Sequence, residues 1–169
     1  MTEISIGEYV DDLQESLIEM ILEIQQKEFQ IPITRADQPD LAAIPRFYQQ
    51  KNGNFCLALS DGQIVGSVGL LDIGNQQVAL RKMFVKAGFR GGEHGTAQRL
   101  LQTTTAWAEQ KGITDIFLGT TDKFLAAHRF YEKNGFVRID KTDLPTTFPV
   151  MQVDTVFYHH RTTDLPGKN

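Results

Sequence analysis

The sequence predicts a mixed α/β (α+β) fold, with a mostly antiparallel central sheet of about seven strands flanked by about four helices. Three observations predict it. Hairpin signals sit in the stretch 54–86, where alternating apolar residues flank Asp61-Gly62 and then Gly74-Asn75. A strand–helix–strand run follows over 76–119, and such a crossover makes its two strands parallel. Helical periodicity recurs at 12–29, 93–111 and 122–134, so helices can cover both faces of the sheet.

Taken in order, residues 3–10 alternate at Ile4, Ile6 and Tyr9 as a short strand. Leu13, Leu17, Met20, Ile21 and Ile24 then recur at helical spacing over 12–29, with Asp12 and Glu15 spaced as a capping box. Pro32 ends that segment, 30–38 reads as a loop, and 39–51 reads as a second, shorter helix opening at Pro39. Strands follow at 54–60, 63–72 and 76–86. The helix at 93–111 places Leu100, Leu101, Thr104, Trp107 and Ala108 on one face and stops at Gly112. A strand at 113–119, a helix at 122–134 ending at Asn134-Gly135, and a strand at 136–140 come next. Residues 143–150 are irregular, and 151–159 alternates as the last strand at Val153, Thr155 and Phe157.

A chain of 169 residues with 41% apolar and 22% charged residues suits one globular domain, expected over 1–160, with 161–169 as a C-terminal tail. No stretch approaches the roughly 18 apolar residues of a spanning helix. The start Met1-Thr2-Glu3-Ile4-Ser5 lacks the basic and apolar regions of a signal peptide. The expectation is therefore a cytoplasmic protein without a membrane partner. The single cysteine, Cys56, sits in an alternating strand and reads as a buried thiol. A net charge of −4 argues against nucleic acid as a partner. His128 and Glu132 are one helical turn apart, and His159 and His160 face opposite ways on a strand, so no metal site is expected.

The chemistry concentrates in Leu80-Arg81-Lys82-Met83-Phe84-Val85-Lys86-Ala87-Gly88-Phe89-Arg90-Gly91-Gly92-Glu93-His94-Gly95-Thr96-Ala97. A strand enters a glycine-rich turn that opens a long helix. The first N–H groups of a helix have no internal partner, and its dipole is positive there, so such a turn can hold an anion. Gly91, Gly92 and Gly95 let a pyrophosphate reach the backbone, and Arg90 can add a charge-assisted contact. An ordinary tight connection has the same glycine content. The spacing is neither Gly-x-Gly-x-x-Gly nor a P-loop.

This segment resembles the signature of the GNAT superfamily of N-acetyltransferases, Arg/Gln-x-x-Gly-x-Gly/Ala after a strand of the type Leu-x-x-Met-Tyr/Phe-Val. Arg90 and Gly95 match its ends, and Glu93 replaces the central glycine. A second stretch, Ala127-His128-Arg129-Phe130-Tyr131-Glu132-Lys133-Asn134-Gly135-Phe136, is similar to the family's Ala-x-x-x-Tyr-x-x-x-Gly-Phe. The resemblance covers roughly 53–140. It implies acetyl-CoA as co-substrate, with Met83, Phe84 and Val85 holding the pantetheine arm. It also implies that Arg90, Gly91, Gly92, Glu93, His94, Gly95 and Thr96 hold the pyrophosphate. Phe124 stands where the family often has an asparagine against the pantetheine. Tyr131 would be the catalytic acid for the departing thiolate; a phenol stays protonated at neutral pH yet can donate to a thiolate.

The implied reaction is acetyl transfer to a primary amine by direct attack in a ternary complex. The rival reading is a non-catalytic acyl-CoA-binding or sensor domain on the same fold. A doubly wound nucleotide-binding domain fits poorly, because 53–86 reads as hairpins. Attack needs a neutral amine, and the family's usual glutamate is replaced by Ala79; Glu28, Asp72 and Glu93 are the remaining base candidates. Residues 28–48 and 143–150, with Phe29, Phe47, Tyr48 and Phe148, would line the pocket for a small-molecule or peptide amine. Oligomeric state is open, a homodimer included.

Overall fold

The computed structural model describes residues 3–162. Among them, seven strands form one sheet: β1 (Ser5–Glu8), β2 (Asn54–Ser60), β3 (Gln63–Gly74), β4 (Gln77–Val85), β5 (Asp115–Thr120), β6 (Val137–Ile139) and β7 (Val156–Arg161). Their order is β1-β2-β3-β4-β5-β7-β6. Only β4 and β5 pair in parallel; the other neighbours are antiparallel. The turns behave as their residues dictate. Asp61 and Gly62 take φ of 51° and 79°, the left-handed pair a two-residue hairpin needs. The last strand does not lie outside β6 but inserts between β5 and β6.

Among the described residues four α-helices accompany the sheet: α1 (Gln14–Leu22), α2 (Ile44–Phe47), α3 (Thr96–Gln110) and α4 (Leu125–Lys133). The expected helix at 12–29 is continuous but changes pitch: a 3₁₀ turn at Asp11–Leu13 precedes α1, and a π segment at Glu23–Glu28 follows it. The capping box does not form. No side chain caps either start, and Glu15 instead pairs with Arg35 at 2.8 Å. The expected helix at 39–51 breaks into a 3₁₀ turn, Pro39–Ala42, and the single turn α2. Ala43 between them leaves helical geometry, with φ −147° and ψ 47°, and Pro45, in the first turn of α2, has no N–H to carry the hydrogen bonds of the 3₁₀ turn onward. α3 begins at Thr96 rather than 93, because Gly91 and Gly95 take positive φ of 103° and 63°. β7 begins at Val156 rather than 151, since 151–154 is a turn closed by the Asp154 N–H to the Met151 carbonyl at 3.0 Å. Arg161, the first residue of the expected tail, ends β7; 163–169 lie outside the described residues.

Alternation along β2 explains the layering. Cys56 and Ala58 pack with Leu100 and Leu101 of α3, while Phe55 and Leu57 pack with Leu17 and Ile21 of α1. Helices therefore cover both faces. A third cluster, around Ile73, Phe117, Phe148 and Phe157, closes one end.

Two irregularities in β4 prepare the site. Its pairing with β5 stops after Ala79 and Phe117, so the two strands separate beyond that point. Its pairing with β3 slips between Ser67 and Gly69, which oppose Phe84 and Arg81. The extra residue makes a β-bulge, with Lys82 at a φ of 58°. The Ser67 hydroxyl donates to the Lys82 carbonyl at 2.7 Å and holds the bulge in place.

Candidate functional site

A cavity of about 920 Å³ fills the gap where β4 and β5 part. One wall is the freed edge of β4, including Met83, Phe84 and Val85; the facing wall is Leu118–Thr121 and the start of α4. At one end lies the turn with Arg90, Gly91, Gly92 and Gly95, at the other Phe148, Met151 and Asp154. The strand, turn and Tyr131 singled out in the sequence thus border one space. Glu93, His94 and Thr96 are not among its lining residues. The Glu93 carboxylate is 85% exposed and 3.8 Å from His94 Nε2. Thr96 is buried, and its hydroxyl has no partner among the described residues.

The glycine turn leaves room for a large anion. A Cβ placed on Gly91, Gly92 or Gly95 meets no atom within 4 Å. α3 opens directly behind it, and its first N–H groups have no helical acceptor. Arg90 is already engaged. Its Nε donates to the Val85 carbonyl at 2.8 Å, its Nη2 to Glu28 Oε1 at 2.8 Å, and its Nη1 to Glu28 Oε2. The guanidinium also lies over the Phe29 ring, 5.6 Å from its centre. This clasp ties the π segment to the turn and removes Glu28 from the base candidates.

Phe124 makes the apolar contact its side chain dictates: it packs edge-on against Phe29 at 4.7 Å and Phe84 at 6.2 Å between ring centres. Tyr131, on α4, is buried between Phe136 and Tyr158. Its hydroxyl makes no hydrogen bond among the described residues, although the side chain lines the cavity. Burial, and secondarily Tyr158, pushes its pKa well above the ordinary phenol value. It therefore keeps its proton across the working pH range.

Other expectations resolve by geometry. Asp72 accepts from the backbone N–H groups of Asn52 and Gly74, at 3.1 and 2.8 Å, and caps a turn. Phe29 and Phe148 line the cavity, whereas Phe47 is exposed and Tyr48 lies wholly inside another cluster. Cys56 is buried, and burial raises its thiol to about 11, so it is no nucleophile at neutral pH.

Sequence reasoning missed the charged groups at the far end. The Lys82 side chain is only 6% exposed. Its Nζ donates to Gln38 Oε1 at 2.6 Å and stands 3.8 Å from Asp40 Oδ2, which accepts from the Tyr48 hydroxyl at 2.5 Å. The side-chain amides of Gln25 and Gln38 exchange hydrogen bonds beside them, each donating its Nε2–H to the other's Oε1. Burial draws the Lys82 ammonium down to about 8, against the pull of Asp40. Arg81 and Asp154 also line the cavity. Burial raises the Asp154 carboxyl, opposed by the Met151 N–H, Arg81 and Lys82. The signal available was the Arg81-Lys82 pair itself, two charges inside a strand whose neighbours are apolar. What it lacked was their partners, which lie 42 to 73 positions away.

Residues 18–136 match the family described as the acetyltransferase (GNAT) family. A mouse protein, probable N-acetyltransferase family 8 member 5, is 35% identical over 109 residues, 62% of this chain and 47% of that protein. The N-acetylaspartate synthetase of Danio rerio is 35% identical over 106 residues, 62% of this chain and 37% of its own. The chain thus spans about half or less of these curated relatives. A crystal structure of an acetyltransferase of the GNAT family from Staphylococcus aureus superposes with a TM-score of 0.92 at 42% identity, covering 95% of this chain and 99% of that one. The PaiA N-acetyltransferase of Thermoplasma acidophilum, solved with coenzyme A, shares the fold at 17% identity with a TM-score of 0.73, over 94% and 99% of the two chains.

Proposed function

The chain belongs to the GNAT acetyltransferase family, and on that premise we propose that it transfers the acetyl group of acetyl-CoA to a primary amine by direct attack in a ternary complex. One observation carries the reading. The unpaired edge of β4, the open glycine turn at the start of α3 and the partnerless Tyr131 hydroxyl border a single cavity.

The residues divide the work as their chemistry allows. The freed N–H and C=O groups of Met83, Phe84 and Val85 suit the amide-bearing pantetheine arm. Gly91, Gly92 and Gly95 admit the pyrophosphate, and the helix terminus supplies partial positive charge. Phe124 closes over the arm with its ring. The neutral amine attacks the thioester carbonyl, the C–S bond breaks, and the sulfur leaves with its electron pair. Tyr131 donates to that sulfur. Its high pKa keeps the donor present, so its contribution is a positioned hydrogen bond and proton as negative charge develops.

The non-catalytic reading is favoured by the Glu28–Arg90 clasp, which occupies the one cation of the turn. Two measurements on one sample decide. Millimolar acetyl-CoA should raise the melting temperature; at about 100 times its dissociation constant a ligand adds roughly 2.7 kcal/mol. Thiol release with a panel of primary amines should then exceed hydrolysis in their absence. A thermal shift without amine-dependent turnover sinks the transferase reading and leaves the sensor. No shift at all sinks both.

A further inference from the structure

We propose that the acceptor amine carries a carboxylate, which Arg81 binds, and that Asp154 takes the proton its ammonium group must lose. This inference rests on the acyl-transfer reading above and concerns the end of the cavity opposite the glycine turn.

Two charges of opposite sign stand here with no ion-pair partner among the described residues. Arg81 is half-buried and lines the cavity, and its guanidinium has one hydrogen-bond partner among the described residues, Met151 Sδ at 3.0 Å. A thioether is a weak acceptor, while a guanidinium presents five donors in a fork that matches a carboxylate. A partly desolvated guanidinium beside a cavity, hydrogen-bonded to no oxygen among the described residues, has room for an anionic group from the ligand. Lys82 is not equivalent. Its charge is already met by Gln38 and Asp40, so of these two neighbours Arg81 is the one with donors to spare.

Asp154 is the counterpart. Its Oδ2 accepts the Met151 N–H at 2.8 Å, while Oδ1 accepts nothing among the described residues. The carboxylate rests on the bare backbone of β5: a Cβ on Gly119 would stand 2.7 Å from Oδ2. The glycine thus lets a carboxylate lie flat against the strand at the point where β4 has departed. Arg81 and Asp154 act on each other electrostatically yet form no ion pair. A ligand bearing both signs would complete both. A plain alkylamine would leave Arg81 unmet, and a peptide N-terminus has no carboxylate beside its amine. A free amino acid meets both requirements.

The proton inventory closes. The acceptor ammonium gives one proton to the Asp154 carboxylate, which passes it to solvent. The resulting amine lone pair forms the N–C bond as the C–S bond breaks. The second proton lost by nitrogen restores the one that Tyr131 gives the departing sulfur. The products are the N-acetyl amino acid, the free thiol and one solvent proton.

The test compares L-aspartate, L-glutamate, L-leucine and L-phenylalanine with their α-carboxamides as acceptors for the full chain. The carboxamide keeps the shape and removes the α-carboxylate charge, leaving the side-chain charge of aspartate and glutamate in place, so leucine and phenylalanine give the clean comparison. At least one acid should exceed its carboxamide in kcat/KM by roughly 10- to 100-fold, the range for a charge-assisted contact. Arg81→Gln should collapse that ratio towards one, chiefly through KM, and Arg81→Lys should restore part of it. Asp154→Asn keeps an oxygen for the Met151 N–H, so the turn should survive; kcat should fall about 10²- to 10⁴-fold with acetyl-CoA affinity unchanged. If acetyl-CoA binds and carboxamides or simple alkylamines serve as well as the acids, the inference is overturned while the acyl-transfer reading stands. An Asp154→Asn variant with full kcat overturns its role as base. Absence of acetyl-CoA binding overturns both readings together.

Discussion

The two ends of the cavity are built by different means. The end at the glycine turn is made of backbone: a strand edge without a neighbour, three glycines with open space beside them, and a helix terminus. It spans one continuous stretch, from Met83 to Gly95, plus the start of α4. The end at Asp154 is made of side chains drawn from separated segments: Gln25 between β1 and β2, Arg81 and Lys82 in the bulge of β4, Met151 and Asp154 after β6, with Gln38 and Asp40 held against Lys82. A backbone site serves a ligand that is the same in every turnover. A side-chain site can be changed residue by residue without disturbing the sheet, and it fits the part of the reaction that distinguishes one acceptor from another.

The largest effect should come from filling the backbone end. Gly92 does not require a left-handed conformation, and a Cβ there meets nothing, so Gly92→Glu introduces a carboxylate with little backbone strain. It should abolish the acetyl-CoA-induced rise in melting temperature while the unliganded melting temperature stays within a few degrees. Gly95→Glu is a poorer probe, because a φ of 63° strains any substituent. Unaltered acetyl-CoA binding by Gly92→Glu would remove the turn from the site and with it the contrast between the two ends.

Tyr131→Phe ranks next. The hydroxyl has no hydrogen-bond partner among the described residues, so its loss orphans no group there and stability should hardly move. kcat should drop by about 10²- to 10⁴-fold at constant acetyl-CoA affinity. Single-turnover kinetics alongside a binding titration check this, and a variant with wild-type kcat leaves the thiolate to solvent.

Lys82 sharpens the other end through pH. Its folded pKa near 8 lies below the ordinary lysine value of about 10.4. Between those values the unfolded chain binds more protons than the folded one, so this group makes stability rise with pH across that window. The gain should be on the order of 2–3 kcal/mol in the wild type and absent in Lys82→Met, as urea unfolding at pH 7.5 and 10 would reveal. Equal slopes in the two proteins would show that Lys82 is not desolvated.

The smallest effect belongs to the clasp. Glu28 and Arg90 are each about one-third exposed, at 32% and 37%, so breaking them should alter stability by less than about 1 kcal/mol. Glu28→Gln should tighten acetyl-CoA binding a few-fold by freeing the guanidinium, measurable by calorimetry. Weaker binding would mean that Glu28 instead aims Arg90 at the ligand.

The same contrast explains what could be read from the sequence. The hairpins followed from Asp61-Gly62 and Gly74-Asn75, whose local chemistry fixes their turns. The strand, turn and helix around Arg90 and Gly95 were legible because they are contiguous. The register slip that gives Lys82 its conformation was not, because a bulge is decided by the partner strand, here by Ser67 holding the Lys82 carbonyl. Asp154 was overlooked because 151–159 alternates well enough to read as strand, and only the Met151–Asp154 turn shows otherwise. Pro45 was on view and should have divided the second helix.

The insertion of β7 between β5 and β6 also fixes an order of events. β6 pairs with β7 and with no other strand among the described residues. Until β7 docks, β6 has no ladder to join, and the connection carrying Phe148, Met151 and Asp154 is tethered at neither end to the sheet. A chain emerging from its amino end can complete β1 to β5, the glycine turn and α3 beforehand. The half proposed to receive acetyl-CoA can therefore mature first. The half proposed to select the acceptor is closed by the last strand to arrive, so on that reading discrimination is gained only when the sheet is finished.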